Sequence, residues 1–210
     1  MRIISGTYRG LTLRTLKDAN LRPTSDQLRE TLFDVLGPQV AGSRFLDAYA
    51  GSGAVGLEAL SRGAREVVFI EHHRPAIELI RKNLATLGIE SAFRLMTSPV
   101  LDALGRLHEE AAAFDFVFLD PPYDEVREYH HALRQLARSA FLTPNSLVVV
   151  EHSRRTFLEE SYGRPAAQSP PVPKLGEAGL RAAGRLRRTR QIRHGDAQLA
   201  FYLRVVADSA

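Results

Sequence analysis

Short apolar runs alternate with amphipathic segments through the middle of the chain. Runs rich in Val, Leu, Ile and Phe predict buried strands, and apolar residues at helical spacing predict the helices between them. The predicted strands are 44–49, 66–71, 92–96, 114–120 and 146–151. The predicted helices are 53–61, 75–87, 99–113 and 126–140. This repeated strand–helix order predicts an α/β fold with a doubly wound, mostly parallel sheet.

The N-terminal part of the chain departs from that alternation. Residues 2–4 and 11–13 are β-type runs separated by glycines, which predicts a small hairpin. A helix should follow, because Thr24 or Ser25 can cap it and Gly37-Pro38 can end it. We therefore assign 1–40 to an N-terminal hairpin and helix extension, and 41–210 to the main domain.

The C-terminal part also has its own pattern. Thirteen of the 22 residues in 163–184 are Pro, Gly or Ala, without hydrophobic periodicity, which predicts a flexible loop. Beyond it, 186–193 and 197–206 predict two closing strands that turn at His194-Gly195-Asp196. The sheet is thus predicted to have seven strands.

Composition narrows the class of protein. The chain has no cysteine, which excludes disulfides, thiolate nucleophiles and cysteine-ligated metal centres. No apolar run reaches the roughly 18 residues that a membrane span needs, and the first residues show no secretory signal. We expect a cytosolic protein, not associated with a membrane. The adjacent histidines at 72–73 and 130–131 are interpreted as surface residues, so no metal site is expected.

Charge is distributed unevenly along the chain. The net charge is +4, but residues 1–29 carry +4 and residues 163–193 carry +7, which leaves −7 for the rest. Two basic segments around an acidic body fit a nucleic-acid partner, although solvated surface arginines explain the composition equally well. The arginines at 187, 188 and 190 on a predicted strand are hypothesised to contact phosphate. A charged edge strand remains the alternative.

A glycine-rich motif follows the first predicted strand. In Asp47-Ala48-Tyr49-Ala50-Gly51-Ser52-Gly53 and the following Gly56, glycines allow close backbone approach to a nucleotide-like ligand. Glu71 ends the next strand, where a carboxylate can accept hydrogen bonds from ribose hydroxyls. NAD satisfies these features too, and a tight strand-to-helix turn without a ligand is a further alternative. Asp47 would repel a pyrophosphate, however, and suits the cationic S-adenosylmethionine.

The tetrapeptide Asp120-Pro121-Pro122-Tyr123 ends the fourth predicted strand, at the edge where open α/β sheets bind ligands. Consecutive prolines hold the chain stiff and present carbonyl acceptors beside the Asp120 carboxylate. Acceptors match an exocyclic amine, and Tyr123 offers a ring on which a base can stack. A strand that simply leaves the sheet through a Pro-Pro turn is the alternative. Together with the glycine motif and Glu71, the tetrapeptide resembles the motif order of class I amino-methyltransferases that act on nucleic-acid bases.

Further characteristic segments are Ile4-Ser5-Gly6, Arg9-Gly10, Arg22-Pro23-Thr24-Ser25-Asp26 and residues 29–36. Together with the two motifs above, they resemble the bacterial 16S rRNA (guanine-N2)-methyltransferases, the RsmD family. The resemblance covers about 1–160 and resumes near 195–202. It implies a class I, Rossmann-like methyltransferase. S-adenosylmethionine would be its cofactor and small-subunit rRNA its partner, naked or in an assembling 30S particle. We expect a monomer.

The resemblance also implies residue roles. Asp47 with the backbone at Ala50, Gly51, Ser52 and Gly53 would hold the methionine moiety, and Glu71 the ribose. Thr24 would help to cover the cofactor, and Ser98 would contact its adenine, where the family usually has Asp or Asn. Asp120 and the Pro-Pro carbonyls would orient the guanine amine, with Tyr123 stacked on the base. The implied RNA contacts in the N-terminal segment are Arg9, Arg22 and Arg29.

Three other functions stay open. The same motif suits DNA adenine N6 or a protein glutamine amide, because both present a planar amine. A non-catalytic RNA-binding module of this fold would keep the basic segments without the reaction. An NAD-dependent dehydrogenase is the most distant alternative.

Overall fold

The structure is a computed structural model that describes residues 1–15, 25–110, 113–163 and 184–206. The helices are α1 (Asp26–Leu36), α2 (Ala54–Ser61), α3 (Arg74–Thr86), α4 (Val100–Glu110) and α5 (Val126–Ala137). The first five strands are β1 (Arg44–Ala48), β2 (Glu66–Ile70), β3 (Phe93–Met96), β4 (Phe114–Leu119) and β5 (Leu142–Ser153). The last three are β6 (Ser161–Tyr162), β7 (Gly184–His194) and β8 (Ala197–Val206). Within these residues, no helix combines the length and apolar character needed to cross a membrane.

All eight strands form one sheet in the order β3-β2-β1-β4-β5-β8-β7-β6. Strands β1 to β5 pair in parallel, whereas β8 is antiparallel to both β5 and β7. The predicted α/β class and mostly parallel sheet are confirmed. The structure adds to the seven predicted strands a two-residue edge strand, β6, which pairs with β7. Two residues are too few to produce a hydrophobic period.

Helices cover both faces of the sheet. Helices α1, α2 and α3 pack with Phe45, Phe69 and Phe116 in one apolar cluster. Helices α4 and α5 pack with Leu46 and Val68 in a second cluster on the opposite face. Neighbouring residues of a strand point to opposite faces, so a strand covered on both sides must be apolar throughout. This double burial explains the continuous apolar runs in the sequence.

The N-terminal segment packs into the first cluster and is held by buried polar groups of α2. Residues 1–15 form the predicted hairpin, reduced to one antiparallel bridge between Arg2 and Thr12. The buried Glu58 carboxylate accepts hydrogen bonds from the Ile4 and Ser5 amides at 2.8 and 3.0 Å. At the far end of α2, the Thr7 amide donates to the Ser61 carbonyl at 2.8 Å. The hairpin therefore lies against the C-terminal half of α2.

Helix α1 begins and ends where the sequence predicts. The Ser25 hydroxyl accepts a hydrogen bond from the Leu28 amide at 3.1 Å, which caps the first turn. Gly37 ends the helix with a φ of 61°, a conformation that suits glycine. Near its start, Gln27 contacts His194 at the end of β7, at 3.1 Å. This contact places the N-terminus of α1 at the same sheet edge as the carboxyl ends of the parallel strands.

Candidate active site

A cavity of about 580 Å³ opens at the carboxyl ends of the parallel strands. Its volume lies in the range of small-molecule sites. Predicted cofactor residues from two strand ends and the glycine loop line it, and so does the predicted catalytic carboxylate after β4. These lining residues are Asp47, Ala50, Gly51, Ser52, Glu71, Asp120 and Pro122. The structure thus brings the two sequence motifs, about 70 residues apart in the chain, to one cavity.

The loop from β1 to α2 has the backbone conformation of a ligand-binding turn. Gly51 and Gly53 have φ angles of 54° and 79°, and Tyr49 also has a positive φ of 65°. A positive φ is strained for tyrosine, and strain of this kind concentrates at functional sites. Gly56 has a different role, because a Cβ there would lie 2.3 Å from the Phe69 ring. The third glycine of the motif therefore allows α2 to pack closely on β2.

Asp47 is buried, with 2% exposure, at the end of β1. Its Oδ2 accepts a hydrogen bond from the Gly56 amide at 2.8 Å. Desolvation raises the pKa of Asp47 to about 8, the Gly56 hydrogen bond opposes that rise, and the nearby Glu71 carboxylate adds to it. A cation bound in the cavity would relieve this desolvated carboxylate.

Glu71 organises the loop as well as lining the cavity. Its Oε2 accepts from the Gly51 amide at 2.8 Å, and its Oε1 accepts from the His72 and His73 amides, each at 2.8 Å. The Gly51 bond fixes the glycine loop to the end of β2, and the two histidine amides hold the Glu71 carboxylate in place. Both histidines are exposed, as the sequence pattern suggested, and they also line the cavity.

The cavity is acidic. Five carboxylates line it, from Asp47, Glu71, Asp120, Glu125 and Glu128, and no lysine or arginine of the described residues does. A pyrophosphate would be repelled there, whereas a ligand with an ammonium and a sulfonium would be attracted. The charge pattern therefore fits S-adenosylmethionine and disfavours NAD.

Helix α5 holds the Asp-Pro-Pro-Tyr segment in place. The buried Tyr129 hydroxyl donates to the Pro121 carbonyl at 2.8 Å, and the Glu125 amide donates to the Pro122 carbonyl at 3.0 Å. Burial, followed by the nearby Asp120 carboxylate, raises the pKa of the Tyr129 phenol, so it stays a donor. The Pro121 carbonyl keeps one lone pair beyond this bond.

Four predicted catalytic or cofactor-binding residues of the described chain are not among the cavity lining: Pro121, whose contacts are given above, and Tyr123, Gly53 and Ser98. Tyr123 is half-buried, and its hydroxyl donates to the Glu151 carboxylate at 3.1 Å. Gly53 forms the cap of α2. Ser98 is 9% exposed, and its hydroxyl has no hydrogen-bond partner in the described part of the chain. Thr24, like Arg22, lies outside the described residues.

The predicted RNA-contact arginines that the structure describes differ in how far their side chains are exposed. Arg9, Arg187 and Arg190 are exposed. Arg188 is half-buried, and its Nη1 donates to the Leu158 carbonyl at 3.1 Å. The prediction for Arg29 is wrong in this structure, since its side chain is fully buried and donates to the Arg2 carbonyl at 2.6 Å and to Asp26 at 2.9 Å. Arg29 binds the hairpin to α1 and cannot reach an RNA backbone.

Some residues of the site were not predicted. Tyr49 donates from its hydroxyl to Glu128 Oε1 at 2.8 Å, which joins the glycine loop to α5 across the cavity. Met1 and Thr15 line the cavity, so the hairpin ends form part of its wall. The sequence offered no local signal for these contacts, because each joins segments far apart in the chain. Among the described residues, no three His, Asp or Glu side chains cluster to hold a metal ion.

Comparisons with known proteins agree with this site. Residues 1–166 match the family described as conserved hypothetical protein 95. The chain is similar to the ribosomal RNA small subunit methyltransferase D of Haemophilus influenzae, with 40% identity over 72% of this chain and 78% of that one. It is also similar to the protein of the same name from Escherichia coli K12, with 38% identity over 72% and 74% of the two chains.

A solved structure extends the likeness to the fold. It is the Escherichia coli protein yhhF, described as a candidate methyltransferase, with a TM-score of 0.74, 31% identity and 99% coverage of both chains. The resemblance to the RsmD family is thereby confirmed, and the chain belongs to the family described as conserved hypothetical protein 95.

Proposed function

We propose that this protein transfers a methyl group from S-adenosylmethionine to the exocyclic N2 amine of a guanine in small-subunit ribosomal RNA. At the coarser level it is an rRNA methyltransferase, the activity that its relatives' names state. The observation that carries the proposal is the position of Asp120, on the wall of the same acidic cavity as Asp47 and Glu71.

S-adenosylmethionine is the cofactor, and when bound it supplies a methyl group activated on a cationic sulfur. Asp47 and the Ala50–Gly53 backbone would hold its methionine part, and Glu71 its ribose. The buried Ser98 hydroxyl is proposed to contact the adenine, because a buried hydroxyl without a partner costs free energy until a ligand satisfies it. Thr24 remains a proposed cover residue.

The chain's own contribution to the reaction is to orient the amine. The N2 lone pair of guanine is delocalised into the ring, so the amine is a poor nucleophile. A carboxylate at Asp120 and the second lone pair of the Pro121 carbonyl can accept its two N–H groups, and Tyr129 keeps that carbonyl fixed. As the nitrogen attacks, its proton becomes acidic and can pass to Asp120 or to water. Most of the acceleration then comes from positioning.

The acceptor chemistry favours guanine over adenine. Guanine presents N1–H and N2–H donors side by side on its Watson–Crick edge, whereas adenine presents an N6 donor beside the N1 acceptor. An ionised carboxylate only accepts, so it matches two adjacent donors and repels the adenine N1 lone pair. The several carboxylates around this cavity therefore support guanine as the target.

RNA contact is proposed at the exposed arginines. Arg190 and Arg187 lie on β7, and Arg9 lies at the hairpin turn beside Ser61. Helix α2 places this turn about 10 Å along its axis from the glycine loop, given a rise of 1.5 Å per residue. Arg9 would therefore contact RNA away from the target base. Arg22, outside the described residues, remains a proposed contact on the segment between Thr15 and Ser25.

Asp120→Ala tests the proposal. Transfer to protein-free small-subunit rRNA should fall at least 100-fold, while affinity for S-adenosylmethionine, measured by calorimetry, stays within about threefold. Asp124→Ala, which removes an exposed carboxylate from the same loop, is the matched control and should keep both. Equal loss of transfer and donor affinity in Asp120→Ala would show that its role is misplaced.

The product distinguishes the rival functions. Mass analysis of nucleosides from the methylated RNA should show N2-methylguanosine. Methylation of adenine N6, or of a protein glutamine, would replace the proposed acceptor. Donor binding without transfer to any ribosomal RNA would instead favour a non-catalytic RNA-binding module.

A further inference from the structure

Phe157 is an aromatic ring held in solvent. Its side chain is 76% exposed, while the other exposed large hydrophobic residues of the described chain lie between 37% and 45%. Its neighbours in sequence are buried, Thr156 at 8% and Leu158 at 2%. The backbone around Phe157 is therefore packed against the protein, and the ring alone projects outward.

Hydrogen bonds before and after Phe157 hold the backbone of this segment in place. The Arg154 amide donates to the Asp196 carbonyl and the Thr156 amide to the Ser153 carbonyl, both at 2.9 Å. Beyond the ring, Arg188 Nη1 donates to the Leu158 carbonyl at 3.1 Å. A segment tied in this way cannot fold its ring back into the core, so Phe157 stays available to a partner.

The segment lies at the edge of the sheet that carries the active site. Leu119 of β4 is opposite Val150 of β5, so the residues that follow them, Asp120 and Glu151, lie side by side at that edge. Ser153, two residues further, is opposite Ala197 at the start of β8. Adjacent strands are about 4.8 Å apart and each strand residue rises about 3.3 Å, so the start of the Phe157 segment at Ser153 lies within roughly 10 Å of Asp120. A nucleotide next to the target base can span such a distance.

Exposed arginines lie on the same segment as the ring and beside the neighbouring turn. Arg155 precedes it by two residues and is exposed. Arg193 is exposed and lies opposite Gln198 on β8, close to the Asp196 turn that binds the Arg154 amide. An aromatic ring offers a stacking face to an unpaired base, and neighbouring guanidinium groups attract its phosphates. A duplex has no free base face, so this chemistry selects single-stranded RNA.

We propose that Phe157, Arg155 and Arg193 form a second RNA contact that binds an unpaired nucleotide beside the target guanine. The contact rests on the proposed function, because it supplies the RNA. It would hold the strand that flanks the target while the base enters the cavity. It is separate from the Tyr123 ring, which lies on the β4–α5 loop.

The test is binding of a fluorescein-labelled 12-nucleotide oligoadenylate to the full chain, measured by anisotropy at fixed salt. Phe157→Leu keeps an apolar side chain without a ring face and should weaken binding about tenfold. Phe157→Tyr keeps the face and should stay within about twofold. Arg155→Ala should weaken binding and flatten its salt dependence, whereas Arg65→Ala, an exposed arginine at the opposite edge of the sheet, should do neither.

Two results would overturn the contact. One is wild-type affinity in Phe157→Leu, and the other is equal loss in Phe157→Leu and Phe157→Tyr. If Phe157→Leu keeps oligoadenylate binding but loses transfer only on ribosomal particles, the ring contacts a protein and the RNA contact is wrong. Methyl transfer by the wild type is measured in parallel on protein-free small-subunit rRNA and on small-subunit particles that lack the methyl group. Its absence on both would refute the proposed function without deciding the ring dependence of RNA binding.

Discussion

The Asp47 carboxyl shows how one residue connects stability with ligand binding. Its burial raises the pKa to about 8, so the empty site holds a proton that the unfolded chain releases near pH 4. Where the folded state binds more protons, stability falls as pH rises. The folded protein therefore loses stability between about pH 4 and pH 8 at this residue, and a bound cation would restore part of it.

Asp47→Asn tests this linkage, because asparagine keeps the shape and can still accept the Gly56 hydrogen bond. Relative to the wild type, the Asn variant should gain stability as pH rises from 5 to 8, by about 1.4 kcal/mol per pH unit at most. The difference should level off above pH 8. Thermal unfolding without ligand measures it, and a difference that does not change with pH would show that Asp47 is ionised in the empty site.

Tyr123 gives a second prediction at this scale. Tyr123→Phe keeps the ring but loses the hydrogen bond to Glu151. This loss should raise the activation free energy with RNA by about 0.5–1.5 kcal/mol, so that kcat/KM falls roughly twofold to tenfold. Tyr123→Leu also loses the stacking face and should raise that activation free energy by a further ~1–3 kcal/mol. Affinity for S-adenosylmethionine should remain constant in both. Equal kinetics of the two variants would exclude stacking on Tyr123.

Individual residues also mark the limit of sequence interpretation. The sequence predicts Asp47, Glu71 and Asp120 because each follows a strand, and parallel strands end at one edge. The resemblance implied that Arg29 contacts RNA, but long-range pairing with the hairpin buries its side chain. No local sequence pattern predicts that Arg29 pairs with the Arg2 carbonyl, 27 residues earlier in the chain.

Among the helices, α3 joins parts of the site that are distant in sequence. Its fully buried Asn83 donates to the Ser52 carbonyl at 3.0 Å and the Arg14 carbonyl at 3.1 Å, and accepts from the Arg14 amide at 2.8 Å. The glycine loop and the returning strand of the hairpin are thus fixed to one side chain. Because Thr15 lines the cavity, this bond set also positions the cavity wall.

Asn83→Ala should therefore affect both folding and the cofactor site. Loss of three buried hydrogen bonds should lower the free energy of unfolding by about 2–4 kcal/mol, measured in urea. Affinity for S-adenosylmethionine should fall about tenfold as the loop loosens. Ser146→Ala is the control, since it removes a buried hydrogen bond to the Phe114 carbonyl at the opposite edge and should change stability alone. Unchanged donor affinity in Asn83→Ala would make its role purely structural.

Element boundaries could be predicted closely where a local signal exists. Ser25 and Gly37 bound α1, and Pro75 lies in the first turn of α3. Strand β5 is longer than predicted, beginning at Leu142 rather than residue 146. Pro144 and Asn145 hide this extension, because both are unfavourable in strands, and only pairing within the sheet overrides that preference.

At the scale of the whole molecule, a β-bulge in β7 determines which arginine side chains lie on the same face of the sheet. Arg188 is opposite Tyr202 and Arg190 is opposite Phe201, so the register shifts by one between them. Simple alternation would put Arg187 and Arg190 on opposite faces, but the bulge places both on one face with Leu203. Arg188 lies on the other face, where it ties down the Phe157 segment. The sequence predicted the basic strand but not the bulge that determines which face each of its arginines occupies.

The salt dependence of RNA binding tests this surface. If Arg187 and Arg190 each contact a phosphate, the Arg187→Ala/Arg190→Ala variant should reduce the slope of log K against log salt by about 1.5. The control Arg65→Ala/Arg106→Ala removes the same charge from exposed positions on other parts of the molecule and should leave the slope unchanged. A reduced slope in both variants would indicate a general effect of net charge. An unchanged slope in both would leave β7 as a charged strand that protects the sheet from edge pairing and does not contact RNA.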